Sequence, residues 1–166
     1  GIDTNELTKI NFKYSYINQD REVNFNIENS DTGEIFYANK MKEMENSNIF
    51  LYEKFYDPLY KIRNLANIYN SKIHLVYIPS AYYAFGKNIR FEGKDYGKIL
   101  SYFHNLQKKT LKKISKELEI NFIDATKNMI NFNNLNPKIL THFPVNVHLT
   151  EKGHQIISDS IMDALK

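Results

Sequence analysis

Ile73-His74-Leu75-Val76-Tyr77-Ile78-Pro79 is a short, nearly continuous apolar run. A strand with one wet face alternates apolar with polar residues, whereas a run of this kind fits a strand buried on both faces, as in a parallel sheet. Pro79 ends it. Downstream, Ile99, Phe103, Leu106, Thr110, Ile114 and Leu118 fall on one stripe, which predicts a long helix from Asp95 to Glu119. Asn121-Phe122-Ile123-Asp124-Ala125 then reads as a second short strand. Thr150 is placed to cap a last helix to Lys166, with Ile157, Ile161 and Ala164 facing in and Ile156 and Leu165 flanking them. Strand, helix, strand, loop, helix is the order of the second half of an α/β sandwich.

Upstream, Tyr52, Phe55, Leu59, Ile62, Ala66 and Tyr69 recur at three- and four-residue steps and predict a helix over 47–70. Asp57-Pro58 is an N-cap followed by a proline suited to the first helical position, so a break or restart is expected there. Residues 1–40 alternate at period two: Phe12, Tyr14 and Tyr16, then Val23, Phe25 and Ile27. Asn18-Gln19-Asp20-Arg21 reads as the hairpin turn between them, and Asp31-Thr32-Gly33 as a second turn before Ile35-Phe36-Tyr37. The region 1–46 is thus a small antiparallel β-excursion and 47–166 the α/β part. Ser80 to Gly93 reads as an irregular loop with aromatics, and 127–149 as a long loop or short helical turns broken at Asn133-Asn134 and Asn136-Pro137.

The 166 residues make one domain or the C-terminal part of a larger one. Hydrophobic residues at 42% and charged residues at 25% rule out wholesale disorder. With 22 basic against 19 acidic residues the net charge is +3, too balanced to argue for nucleic acid. The densest basic run, Lys108, Lys109, Lys112 and Lys113, reads as a solvated helix face. There is no cysteine, hence no disulfide, thiolate nucleophile or cysteine zinc site. No apolar run reaches the ~18–20 residues of a membrane span, so a soluble chain is expected. The start at Gly1 has no initiator Met, which fits a processed chain or a portion of a longer one.

The chemistry sits in Phe143-Pro144-Val145-Asn146-Val147-His148-Leu149-Thr150-Glu151-Lys152-Gly153-His154. It puts a histidine just before a capped helix, after a sheet strand, where open α/β sheets bind ligands. His148 can act as a general base near neutral pH.

This block resembles the last block of the SGNH (GDSL-type) hydrolases, which reads Asp, one or two residues, His, then Leu or Trp, Asn, two residues, Gly and His or Tyr. The order of the preceding segments agrees: Ile73–Pro79 is similar to that family's strand ending in Pro and Asn121–Ala125 to its last strand. The resemblance covers roughly 70–166 and is strongest to the carbohydrate O-acetylation group, where one residue separates Asp from His. It implies a three-layer, flavodoxin-like sandwich with a parallel sheet, represented by its C-terminal half. It also implies ester hydrolysis or O-acyl transfer on an acylated carbohydrate or small ester, with no cofactor and no metal. That company fits a periplasmic or other extracytoplasmic setting.

The chain departs from the family twice. Asn146 stands where the family places its Asp, and an amide cannot supply the charge that steadies an imidazolium; in a serine protease triad the same exchange costs ~10⁴ in turnover. No Gly-Asp-Ser occurs anywhere, so the nucleophilic Ser is expected outside this chain and residues 1–166 alone are expected to be inactive. A half-sheet leaves strand edges bare, which points to a missing N-terminal half, an oligomer, or the 1–40 strands laid back onto the sheet. The rival class is a non-catalytic module that keeps the fold and holds a glycan or protein partner on the aromatic loop 82–91.

Other residues read more blandly. Ser80 follows a strand end but has no flanking Gly to build a sharp elbow, so it reads as a loop hydroxyl. Tyr82, Tyr83 and Phe85 can line a pocket mouth or simply pack. Asp124 can orient His148 in place of Asn146, or cap a turn. His74 reads as a satisfied core histidine, His104 as partly exposed on the long helix, and His154 as packing or capping at the helix start. A His142/His148/His154 metal site is conceivable only through loop folding.

Overall fold

The computed structural model describes residues 12–18, 21–27, 44–86, 89–91, 96–143 and 148–166, with side chains from residue 52 onward except at 89–91, 96–100 and 103. The protein mixes helices and strands. In chain order the elements are β1 (Phe12–Asn18), β2 (Arg21–Ile27), α1 (Met44–Ile68), β3 (His74–Tyr77), α2 (Ala81–Ala84), β4 (Ile89–Phe91), α3 (Tyr96–Glu117), β5 (Asn121–Asp124), α4 (Thr126–Leu135) and α5 (Glu151–Ala164).

The two apolar runs pair in parallel, His74 opposite Asn121 through to Tyr77 opposite Asp124. The strand period of two then sends neighbouring side chains to opposite faces. Leu75 joins Ile73 against Ile114, Leu118 and Ile120, where Tyr52, Phe55, Tyr56 and Leu59 of α1 also pack. Val76 packs on the other face, against Ala84, Ala125, Met129, Ile156 and Ile157. The small sheet is therefore covered on one side by α1 and α3 and on the other by α2, α4 and α5.

The β-excursion forms a second sheet in the order β2-β1-β4. β1 and β2 pair antiparallel from Phe12 opposite Ile27 to Asn18 opposite Arg21, as the alternation implies. β1 also pairs with β4, Tyr14 opposite Phe91. The 1–40 strands thus join β4 and not the parallel sheet, among the described residues. The third strand read at Ile35-Phe36-Tyr37 lies outside them.

Three local expectations are corrected. Helix α1 runs unbroken through Pro58. Proline removes one backbone bond there, but the face made by Tyr52, Phe55, Tyr56 and Leu59 packs continuously across it, and that burial outweighs the lost bond. The Tyr52 hydroxyl also donates to the Glu117 carboxylate, tying α1 to the end of α3. The segment 80–93 is not irregular throughout, since it contains α2 and β4. Residues 126–135 form a continuous helix across Asn133-Asn134, because Asn133 is buried and donates to the Ala84 carbonyl at 2.7 Å instead of serving a turn. Asn136-Pro137 does end that helix.

Both helices on the Leu75 face stop by the same device. Asn70 (φ 49°) and Glu119 (φ 55°) adopt the left-handed conformation. After each, a backbone N–H reaches back five residues, Ser71 to Ala66 at 2.8 Å and Ile120 to Ser115 at 2.8 Å. This is the Schellman ending, which favours Gly and tolerates Asn. Glu119 carries a Cβ penalty that Asn70 largely escapes. Its ion pair with Arg63, at 3.5 Å, is exposed and offsets little. Glu119→Gly is expected to raise stability by about 0.5–1 kcal/mol and Glu119→Ala to give no such gain. Urea denaturation of the two variants checks this, and equal midpoints would contradict it.

Candidate functional site

The segment around His148 is built outward from the amino end of α5. The Thr150 side chain accepts from the Gly153 N–H at 3.2 Å, the expected N-cap, and its hydroxyl donates to the Leu140 carbonyl at 2.8 Å. Residues 141–143 and 148–150 form a short antiparallel ladder. Phe143 N–H donates to the His148 carbonyl at 2.8 Å and Thr150 N–H to the Thr141 carbonyl at 3.0 Å. His142 faces Leu149 between these two bonds.

Gly153 explains why the motif needs glycine. A Cβ built there would sit 2.2 Å from the Thr141 carbonyl oxygen and 3.0 Å from a Leu149 methyl. The first turn of α5 therefore lies directly against the ladder. Ile156 and Ile157 on that helix are buried, but Ala164 and Leu165 are exposed, so the inward face is set earlier along the helix than the periodicity suggests.

His148 is exposed. Asn146, the other candidate, lies outside the described residues. His142 is 2% exposed. Its Nδ1 lies 3.1 Å from the Thr141 hydroxyl, its ring packs edge-on to Phe85 at 5.8 Å, and a ring N–H donates to the Pro79 carbonyl. Pro79 stands two residues beyond the carboxyl end of β3, so the ladder is moored at that end of the parallel sheet. His154 is exposed on the first turn of α5, where Thr150 makes the cap. With His142 sealed and the other two open, the three do not converge. Among the described residues no group of three His, Cys, Asp or Glu side chains is arranged to hold a metal.

Asp124 is engaged away from His148. Its carboxylate accepts from Thr126 N–H at 2.9 Å and pairs with Lys108 at 3.3 Å. Burial pushes this carboxyl up, but the Thr126 hydrogen bonds and the Lys108 ammonium outweigh it and hold it below its ordinary value. The turn-capping reading of Asp124 is thus the better one, and Lys108 is not part of a wholly solvated face. Ser80 opens α2 through its carbonyl, which accepts from Tyr83 and Ala84, with no capping bond from its hydroxyl.

In the stretch read as an aromatic loop, the described side chains largely join the core. Tyr82 and Phe85 are buried, which removes them from any pocket mouth. Tyr83 stacks on His104 at 3.5 Å. His104, expected to be partly exposed, is 1% exposed. Its Nδ1 meets the Tyr77 hydroxyl at 3.1 Å, and its Nε2 has no hydrogen-bond partner. His104 sits eleven positions before Ser115, also buried, so α3 buries a wider face than its hydrophobic stripe shows. His74 is half-buried and is satisfied by Asn121 at 3.0 Å.

A cleft of about 290 Å³ opens at the amino ends of β3 and β5, lined by Arg63, Lys72, His74 and Glu119. Two helix C-termini converge there, and Arg63 and Lys72 offset their carbonyl charge. That chemistry explains the basic lining without a ligand. No described helix is long and apolar enough to cross a membrane. No family model matches the chain, and no curated protein or solved structure matches it.

Two expectations follow. Gly153→Ala should lower stability by about 1–3 kcal/mol despite alanine's better helix propensity, because the Thr141 carbonyl must move. An unchanged urea midpoint would show that the contact relaxes freely.

The second expectation concerns pH. Burial, aided at His104 by Lys108, lowers His104 to about 4, and burial lowers His142 to about 4. Both therefore stay neutral in the folded protein while the unfolded chain takes up protons below about pH 6.5. Their contribution is complete above that pH and is lost as the pH falls towards 4, on the order of 3 kcal/mol per histidine. His104→Gln should flatten the decline measured by urea unfolding at pH 7, 5.5 and 4.5. A wild-type stability level across that range would exclude both burials.

Proposed function

We propose that residues 1–166 carry the general-base half of an SGNH-type ester hydrolase or O-acyltransferase acting on an acylated carbohydrate or small ester. The fold would be the three-layer, flavodoxin-like sandwich of that group. The observation that supports this best is the placement of His148, presented to solvent by a ladder moored at the carboxyl end of β3 and seated on the capped first turn of α5. Helices on both faces of a parallel pair are what the sandwich requires.

The chemistry is acyl transfer. A Ser from outside residues 1–166 attacks the acyl carbon, and His148 takes the hydroxyl proton as the bond forms. The C–O bond to the alcohol then breaks, and the imidazolium returns its proton to the leaving oxygen. Water, or a sugar hydroxyl in the transferase, reverses the sequence to release the acyl group.

The reading sets a graded test. Residues 1–166 alone should hydrolyse p-nitrophenyl acetate no faster than free imidazole. In a form supplying the Ser, His148→Ala should abolish turnover. Asn146→Asp should raise it ~10–10³-fold, because a carboxylate beside the ring stabilises the imidazolium. Loss of activity in Ser80→Ala would move the nucleophile into this chain. A harmless His148→Ala, with Asn146→Asp unchanged, would leave the binding-module reading.

A further inference from the structure

We propose that His142 is the positioning residue of His148: its buried ring ties the base of the ladder that carries His148 to the carboxyl end of β3. This rests on the reading of His148 as the base. The ladder has two described backbone bonds, too few to hold a geometry by themselves in water. His148 itself is exposed. Besides its seat on α5, the strand pair is held through the ring of His142. His142 is 2% exposed and lies opposite Leu149, one residue from His148. Its ring meets a hydroxyl on one side, Thr141 at 3.1 Å, and the Pro79 carbonyl on the other. A neutral imidazole has one donor and one acceptor, which is what that pair of groups needs. An apolar residue would fill the space but strand both polar partners. Because Pro79 directly precedes Ser80, the same ring fixes His148 relative to the loop leaving β3.

The test uses residues 1–166 and two readouts. Amide exchange is followed at Phe143, whose N–H bonds the His148 carbonyl, and at Leu118 in the helical core, which bonds Ile114. His142→Leu should speed exchange at Phe143 by ~10-fold or more and leave Leu118 unchanged, while His142→Gln, which keeps a donor and an acceptor, should restore protection. Thr141→Val removes the hydroxyl alone and should give a smaller rise of ~3-fold at the same amide, which decides the matter if His142→Leu does not fold. A parallel rise at both amides, or no rise at Phe143, overturns the inference.

In a form where His148→Ala abolishes ester turnover, His142→Leu should lower kcat ~10-fold with KM unchanged, and His142→Gln should recover it. Full turnover in His142→Leu there overturns the positioning role and leaves the reaction standing. A harmless His148→Ala overturns the reaction and with it the catalytic purpose of the mooring.

Discussion

The parallel register of β3 on β5 governs the rest of the described structure. It puts Leu75 and Val76 on opposite faces, and each then recruits its own set of helices. It also sets the carboxyl ends of both strands level, so that the Ala125 N–H can bond the Tyr77 carbonyl at 3.1 Å. The chain after β5 consequently leaves beside the chain after β3. The mooring of His142 on Pro79 and the placement of α5 both follow from that level edge.

Histidines show how burial sorts one residue type into different jobs. His104 and His142 are sealed, and the cost of burying charge keeps them neutral far below the usual histidine range. Each then works as a hydrogen-bonding spacer between elements, His104 between α3 and β3 and His142 between the ladder and β3. His148 and His154 meet solvent. Of these two, His148 lies on the ladder beside the carboxyl end of β3 and His154 on the first turn of α5.

The parts of the fold legible in the sequence are those where local pattern and tertiary role agree. The apolar runs at Ile73–Pro79 and Asn121–Ala125 pair as parallel strands, and Thr150 caps α5. Where they disagree, packing wins. Pro58 and Asn133-Asn134 carry breaker signals, yet the first lies inside an unbroken helix whose packed face is continuous and the other includes an asparagine whose side chain serves a buried carbonyl. At the candidate site, the motif disclosed the cap and the glycine. It could not disclose His142, because a lone histidine in a loop has no period, and its two partners come from the adjacent residue and from a strand end 63 positions away.

The pairing of His74 with Asn121 spans 47 residues of chain. Closing a loop of that size as flexible coil carries an entropic cost that grows with the logarithm of its length. Helix α3 occupies 22 of those residues. Formed as a rod of about 1.5 Å per residue, it replaces nearly half of the floppy loop with a stiff return arm. Topology of this kind couples speed of folding to a local event, since the helix can form from its own neighbours while the sheet cannot. The same helix that shields one face of the sheet in the finished protein therefore also shortens the search by which its two strands find each other.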